Sequence, residues 1–195
     1  MDRLERQLAF VLEMDKMKSI VRQTYLANGS RKEDDAEHSW HLTLMAFVLA
    51  EYANEDIDVS KTMKMVMLHD VIEIDAGDTY AYDEAGNQTK KKRETAAADR
   101  LFAILPADQE AEFRALWDEF EAMDTPEAKF ANTLDKIQPV LLTNAEGGSS
   151  WKEHGVKRTQ IMARNERSHE GSEELWKYIK SLIDENIKSG IIKDE

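Results

Sequence analysis

The apolar residues of this chain recur every three or four positions over most of its length, which is the spacing of one face of an α-helix. Short polar segments separate these periodic stretches, and the chain holds only eight glycines and three prolines in 195 residues. This composition leaves little material for the tight turns of a β-sheet protein. We therefore predict an all-α fold, with helices over residues 3–17, 36–53, 59–75, 89–105, 107–123, 125–145, 151–166 and 172–189.

The polar segments between these stretches predict where helices begin and end. The first helix is expected to extend to about Leu26, where the Asn28-Gly29 pair is typical of a turn. Asp35 is expected to cap the second helix, and residues 79–88 are expected to form an irregular loop. No repeat or shift in composition marks a boundary, so the pattern predicts a single domain over residues 1–195, with a core of about residues 1–145 and C-terminal helices of about 151–190.

The second predicted helix, AEHSWHLTLMAFVLAEYA, differs from the others because it is apolar on nearly all sides. Leu42, Met45 and Leu49 share one face, while Trp40 and Phe47 continue the apolar surface around the helix. A helix without a polar face is typically enclosed by other elements. We therefore expect this helix to be central and buried.

The segment MVMLHDVIEIDAGD carries several ionisable residues inside an apolar run. His69 and Asp70 are costly there unless they are paired, and imidazole and carboxylate are both common metal ligands. Glu73 follows His69 by four residues and is expected on the same helix face. Gly77 and Asp78 are expected to end the helix and to return a carboxylate toward the same place.

Two other predicted helices carry ionisable residues in similar surroundings, His38 near the start of one and Asp135 within another. Each residue alone has a simpler explanation, because a buried histidine is more often hydrogen-bonded in the core and Asp135 could pair at a helix contact. Together with His69 and Asp70 they form a two-histidine, two-aspartate set, which suits one octahedral divalent ion with positions left for water and substrate. We therefore predict one divalent metal ion between the central helices; the donor set accepts Mn, Co, Mg, Fe, Ni or Zn.

The remaining basic and histidine residues have alternative explanations. The KKKR run at residues 90–93 could guard a pocket mouth, although a solvated helix start is the preferred interpretation. His41 is expected to pack beside the metal ligands without binding the ion, and His154 and His169 are expected at the surface.

Composition narrows the possible partners and location. A formal net charge of −13 argues against a nucleic-acid or anionic-membrane surface, since both require basic patches. The absence of cysteine means that a metal site must use nitrogen and oxygen donors. No stretch approaches the length of a membrane span or of a secretory signal, so we predict a soluble, cytoplasmic protein.

The ordered segments EHSW, HDVIEIDAGD, TPEAK and LDKIQPVL resemble the HD-domain metal-dependent phosphohydrolases, in the branch that contains bacterial deoxyribonucleoside 5′-monophosphatases. The similarity covers about residues 1–145 and implies an all-α HD-domain helical bundle. The chain departs from the family pattern after LDKIQPVL, where it reads LTNAEGGSSW, and in the stretch 80–88.

The resemblance implies a role for each matching residue. The divalent ion would be held by His38, His69, Asp70 and Asp135. Glu73 would transfer a proton or orient the attacking water, and Asp78 would contact the nucleotide sugar or that water. Arg22, placed in the first helix, would grip the phosphate.

The function implied is hydrolysis of a phosphomonoester, in particular a (deoxy)nucleoside 5′-monophosphate, to nucleoside and phosphate. Two alternatives remain: a nucleotide-sensing HD module without turnover, and a triphosphohydrolase acting on nucleoside triphosphates. The expected partners are this small phosphorylated substrate and, from the amphipathic outer helices and the family resemblance, a second copy of the chain in a homodimer.

Overall fold

The computed structural model describes residues 1–78 and 84–195, and most of this part of the chain is helical. The predicted all-α class is confirmed. In chain order, the helices are α1 (Arg3–Met14), α2 (Asp35–Val48), α3 (Val59–Leu68), α4 (Glu73–Ala76), α5 (Glu84–Phe102), α6 (Ala107–Ala122), α7 (Pro126–Ala145), α8 (Ser149–His154), α9 (Arg158–Arg164), α10 (Ser168–Gly171) and α11 (Glu173–Lys188). Short 3₁₀ helices cover Asp15–Ser19 and Ala50–Tyr52.

Helix α7 is the centre of the bundle. Its residues Phe130, Ala131 and Leu134 are completely buried, and α2, α3, α6, α10 and α11 all pack against it. Thr125 caps its first turn by accepting a hydrogen bond from the Ala128 amide, as the Thr-Pro-Glu start predicts. Because Asp135 lies on this helix, its carboxylate is held at the middle of the fold.

The prediction that the first helix extends to Leu26 is wrong. Helix α1 ends at Met14, and after the 3₁₀ turn the chain forms strand β1 (Val21–Tyr25), which pairs antiparallel with β2 (Lys32–Asp34). Valine, threonine and tyrosine in VRQTY favour an extended backbone, and Gly29 makes the turn with a φ of 68°. Arg22 therefore lies on a strand and not in a helix.

This hairpin has one inward-facing residue on each strand. Arg22 is buried on β1 and Glu33 is buried on β2, while their strand neighbours are more exposed. Alternation of side chains along a strand produces this pattern. The small sheet thus places one positive and one negative charge against the helical core.

Helix α2 begins one residue earlier than predicted and is less buried. Asp34 is the N-cap residue, accepting from the Glu37 amide at 2.9 Å, whereas Asp35 is completely buried inside the first turn. The prediction that the helix is enclosed on all sides is also wrong, because Trp40 and Phe47 are 63% and 67% exposed. An apolar helix face is normally covered by another element, but no element in the described part of this chain covers Trp40 and Phe47.

The third predicted helix is interrupted at the His-Asp pair. Helix α3 ends at Leu68, and residues 69–72 form tight turns before α4, with the Glu73 amide bonded to the Asp70 carbonyl at 2.9 Å. Gly77 ends α4 with a φ of 74°, as predicted. Because the backbone tightens to an i→i+3 pattern, His69 and Glu73 are not stacked on one regular helix face.

The predicted loop over residues 79–88 and the predicted helix start at residue 89 fall beside the gap between the two described ranges. The predicted loop over residues 79–88 lies partly outside the described residues, and α5 begins at Glu84, before the predicted start at residue 89.

Within the described ranges, no helix combines the length and the apolar character needed to cross a bilayer.

Candidate metal centre

Four side chains from three parts of the fold converge at the middle of the bundle. His38 comes from α2, His69 and Asp70 from the turn after α3, and Asp135 from α7; one donor atom of each lies within 4.8 Å of the others. The structure therefore brings all four predicted metal ligands together. Both histidines are buried, whereas the two carboxylate side chains remain 13% and 14% exposed, so the group opens to solvent on the carboxylate side.

The four side chains face one another through their donor atoms. Nε2 of His38 lies 3.2 Å from Asp135 Oδ1 and 3.7 Å from Asp70 Oδ2. Nε2 of His69 lies 3.0 Å from Asp70 Oδ2 and 3.6 Å from Asp135 Oδ1. Two imidazole nitrogens and two carboxylates thus point at one small volume.

The orientation of His69 exposes the nitrogen that a metal would use. Its Nδ1 donates to the carbonyl of Val66 at 2.9 Å, because a carbonyl oxygen can only accept. Its Nε2 is buried and has no hydrogen-bond partner. The Phe120 ring, with its centroid 5.0 Å from that of His69, closes one side of the site. A buried imidazole with one nitrogen anchored and the other free fits a metal ligand.

The charges of the group also fit a cation. Burial by itself would raise the pKa of Asp135, but the imidazoles of His38 and His69 beside its carboxylate hold that pKa well below its usual range. Burial opposes the charged form of His69, yet Asp70 and Asp135 raise its pKa to about 10. Without an ion, a proton on the imidazole supplies the positive charge that the two carboxylates require, so the residues present suit a divalent ion that would displace it.

A carboxylate that the sequence did not suggest stands behind His38. Glu33 Oε2 lies 3.5 Å from His38 Nδ1, and its Oε1 accepts from Gln138 Nε2 at 2.8 Å. The same Gln138 amide lies 3.2 Å from His41 Nδ1. Carboxylates in this position fix the tautomer and orientation of a ligand histidine. His41 itself belongs to this outer layer and not to the four-residue group, as predicted.

The residues predicted for catalysis lie on the other side of Asp70. Glu73 is buried, and its Oε2 is 4.0 Å from Arg22 Nη1. Burial, together with the charges of Asp70 and Asp35, raises the pKa of Glu73 well above its ordinary value. Asp78 is half-buried, and burial likewise raises its pKa although the charge of Arg22 opposes the shift.

Arg22 is held by two carboxylates, one at the start of α2 and one in the turn after α3. Its Nη1 donates to Asp35 Oδ1 at 2.9 Å and to Asp70 Oδ2 at 2.7 Å. Asp35, like Glu33, was not recognised as a site residue from the sequence. The available signal is the acidic run Glu33–Asp35, which ends one residue before EHSW, but without the hairpin nothing indicates which of these acids turns inward.

Comparison with known proteins identifies the class to which this site belongs. The sequence matches the HD-domain family over residues 14–176. The chain therefore belongs to the HD-domain family, and the predicted resemblance is confirmed.

Two further similarities are more specific. A solved structure from Magnetospirillum magnetotacticum, described as a predicted metal-dependent phosphohydrolase, superposes with a TM-score of 0.93 at 48% sequence identity and covers 97% of this chain and 95% of its own. The 5′-deoxynucleotidases HDDC2 of Bos taurus and Homo sapiens are each 27% identical over 135 residues, which is 69% of this chain. The chain spans 64% of the length of the bovine relative and 65% of the human one.

Replacing Glu33 tests whether the outer layer supports the metal site. In Glu33→Gln the residue keeps its shape but loses the charge that faces His38 Nδ1. We expect metal affinity to fall by about 10–100-fold, the usual cost of removing such a support. Competition between the protein and a chelating dye for Mn²⁺ or Co²⁺ measures this change.

The matched control is Glu37→Gln. Glu37 lies in the first turn of α2, where its partly exposed side chain pairs with Arg31 and accepts from the Asp34 amide, and glutamine can keep this capping bond. Equal metal affinities for the Glu33→Gln and Glu37→Gln variants would contradict the supporting role of Glu33.

Proposed function

We propose that this protein is a metal-dependent phosphohydrolase that cleaves a phosphomonoester, most specifically a (deoxy)nucleoside 5′-monophosphate, to nucleoside and phosphate. The observation that carries the proposal is the convergence of His38, His69, Asp70 and Asp135 within 4.8 Å at a partly open point of the core. The similarity to 5′-deoxynucleotidases supports the choice of substrate class.

The four converging side chains would hold one divalent ion. When bound, such an ion neutralises phosphate charge and makes water a stronger nucleophile near neutral pH. The two histidines enter from the buried side, whereas Asp70 and Asp135 border the opening. A substrate phosphate would therefore approach from the carboxylate side of the group.

Several basic side chains surround this opening and suit a phosphorylated ligand. Lys136 Nζ is 3.7 Å from Asp135 Oδ2, and burial together with the charges of Arg164 and Lys90 lowers its pKa despite that carboxylate. The charges of Glu94, Asp70 and other acids raise the pKa of Lys90 although burial opposes the shift. In a chain of net charge −13, cations gathered beside the metal ligands favour a local phosphate site. Lys90 is the first residue of the KKKR run, and its interactions with these acids support the interpretation that this residue guards the mouth of the pocket.

Glu73 and Asp78 are proposed as the groups that handle protons and substrate. Burial and the neighbouring carboxylates raise the pKa of Glu73, which favours its protonated form and suits a side chain that delivers a proton to a leaving oxygen. Asp78 follows the Gly77 turn and is proposed to contact the sugar or the attacking water. Arg22 remains the proposed phosphate contact, although it would have to share its guanidinium with Asp35 and Asp70.

The proposal is tested by phosphate release from a panel of ribo- and deoxyribonucleoside monophosphates. Protein stripped with a chelator is supplied with Mn²⁺, Co²⁺ or Mg²⁺ in turn. We expect phosphate release only with added metal, and strongest with deoxynucleotides. Tight nucleotide binding without turnover would favour a sensing module, and tripolyphosphate released from nucleoside triphosphates would favour a triphosphohydrolase.

We also propose that the protein forms a homodimer through the outer face of α2. Trp40, Leu44, Phe47 and Val48 follow one another at helical spacing and are between 44% and 67% exposed. Leu8 and Val11 on α1 and Met67 on α3 are further exposed apolar side chains. An exposed apolar helix face of this kind is typical of an interface between subunits.

A charge placed in this surface tests the dimer. We expect Phe47→Glu to shift the protein toward monomer in sedimentation velocity, because a buried unpaired carboxylate opposes association. Tyr178→Glu is the matched control, since Tyr178 is similarly exposed, at 58%, but lies on α11 and not on α1, α2 or α3. Identical sedimentation of wild type and Phe47→Glu would contradict the assignment.

Residues 1–195 are proposed to act as one domain. Helix α11 is tied to α7 by the hydrogen bond from Asn186 Nδ2 to Asn144 Oδ1 at 2.8 Å, and α10 by that from Thr133 Oγ1 to the Ser168 carbonyl at 2.9 Å. The cytoplasmic location stays a prediction from the sequence.

A further inference from the structure

A second group of acidic side chains lies directly behind the metal ligands. Oxygen atoms of Asp35, Asp70 and Glu73 lie within 4.8 Å of one another, close enough to share one cation. Asp70 belongs both to this group and to the four-residue ligand group, so its carboxylate stands between two clusters.

The guanidinium of Arg22 is the cation that this second group holds. Its Nη1 is 2.9 Å from Asp35, 2.7 Å from Asp70 and 4.0 Å from Glu73. Arg22 and all three acids are buried, so water screens their charges little.

The acids keep unused coordinating capacity despite this contact. Asp35 Oδ2 and Glu73 Oε2 are both buried and have no hydrogen-bond partner. Asp35 is 0% exposed and Glu73 is 6% exposed. Three carboxylates with free lone pairs around a single positive charge are a donor set that a hard divalent ion also satisfies.

We propose that Arg22 serves as the built-in second cation of this centre and thereby limits it to one metal ion. The inference rests on the proposed metal site, since Asp70 Oδ2, which accepts from Arg22, is also the oxygen that faces His38 and His69 and would bind the first ion. Arginine is always protonated in proteins, so its charge does not depend on metal supply. Removing Arg22 leaves Asp35, Asp70 and Glu73 available to a second divalent ion.

The test counts metal ions in the Arg22→Met variant, whose side chain keeps apolar bulk without charge or donors. Protein stripped of metal is titrated with Mn²⁺ at pH 8.5, bound ions are counted by elemental analysis, and coupling is read from the electron paramagnetic resonance spectrum. We expect one ion per chain in the wild type and two, magnetically coupled, in Arg22→Met. A single ion in Arg22→Met would overturn the inference.

Two further variants separate the possible causes. Arg31→Met removes an exposed arginine that pairs with Glu37 and is expected to keep one ion. The double variant Arg22→Met/Asp35→Asn lacks one of the three acids and is expected to return to one ion. Two ions in either variant would contradict the assignment of the second position.

Loss of folding also gives a decisive result. If Arg22→Met is unfolded without metal, Mn²⁺ is expected to restore the helical circular dichroism as two ions bind, and failure to fold in excess Mn²⁺ would contradict the inference. A wild-type chain that binds no ion would contradict the metal site itself. One ion in both the wild type and Arg22→Met would leave that site intact and remove only the role of Arg22.

Discussion

The His69→Ala variant is expected to lose metal-dependent phosphate release by about 10³-fold or more, because a bound ion contributes several kcal/mol to the stabilisation of transition-state charge. His69 is one of two nitrogen donors in the group, and its Nε2 faces both Asp70 and Asp135. Metal content after gel filtration is expected to fall together with activity. The helical circular dichroism should change little, since α3 ends before His69.

Two further variants make this prediction specific. His69→Gln fills more of the space beside Phe120 than alanine does and separates the loss of the ligand from the loss of packing. His169→Ala is the surface control, since His169 is exposed and its Nδ1 donates only to the Glu166 carbonyl. Full activity in either His69 variant would contradict the ligand role of this residue.

The Glu73→Gln variant is expected to lower kcat by about 10²–10⁴-fold, the usual contribution of a positioned proton donor or acceptor. Glutamine has nearly the shape of a protonated glutamic acid, so the packing among Asp35, Asp70 and Arg22 should persist, and the bound metal should remain. Steady-state kinetics with a deoxynucleotide and metal analysis measure these two effects separately. Unchanged kcat would contradict a role of Glu73 in proton transfer.

The pH profile distinguishes the two roles proposed for Glu73. Its pKa is raised by burial and by neighbouring carboxylates. If the protonated acid is the active form, kcat falls as the pH rises through this pKa; if the carboxylate orients water, kcat rises instead. In Glu73→Gln either limb should disappear.

Asp75→Asn is the matched control on the same short helix. Asp75 is exposed and pairs with Arg100, pointing away from the metal ligands. Its replacement is expected to leave both kcat and the pH profile as in the wild type. An effect as large as that of Glu73→Gln would show that the acidic character of α4 in general, and not Glu73 in particular, matters.

Much of the fold follows from local information in the sequence. Helical spacing of apolar residues places most helices, because an amphipathic stripe needs only neighbours along the same helix to be recognised. Thr125 and Gly77 set a helix start and a helix end through caps that act within one turn. The prediction that the first helix extends to Leu26 fails for the opposite reason: a two-stranded sheet forms only when β1 meets β2 across the turn, and that pairing overrides a helical extension.

The four side chains that converge in the core could be identified from the sequence, since histidine and aspartate inside apolar helices must find partners. Their supports could not. Glutamate, aspartate and arginine are ordinary surface residue types. The hairpin turns Glu33 toward His38 and Arg22 toward Asp70, and Asp35 is buried beside Arg22 at the start of α2. Whether a charged side chain is buried depends on which distant parts of the chain pack against it, and a local sequence pattern does not contain that information.

The sequence by itself therefore determined the helical class, the family and the four side chains proposed as metal ligands, because each depends on residue type and local spacing. The tertiary structure alone decided that Arg22 neutralises the acids behind Asp70 and that Glu33 faces His38. It also left the apolar outer face of α2 uncovered within the described part of the chain. These features arise from contacts between residues distant in sequence, where folding and not composition determines which charges and surfaces meet.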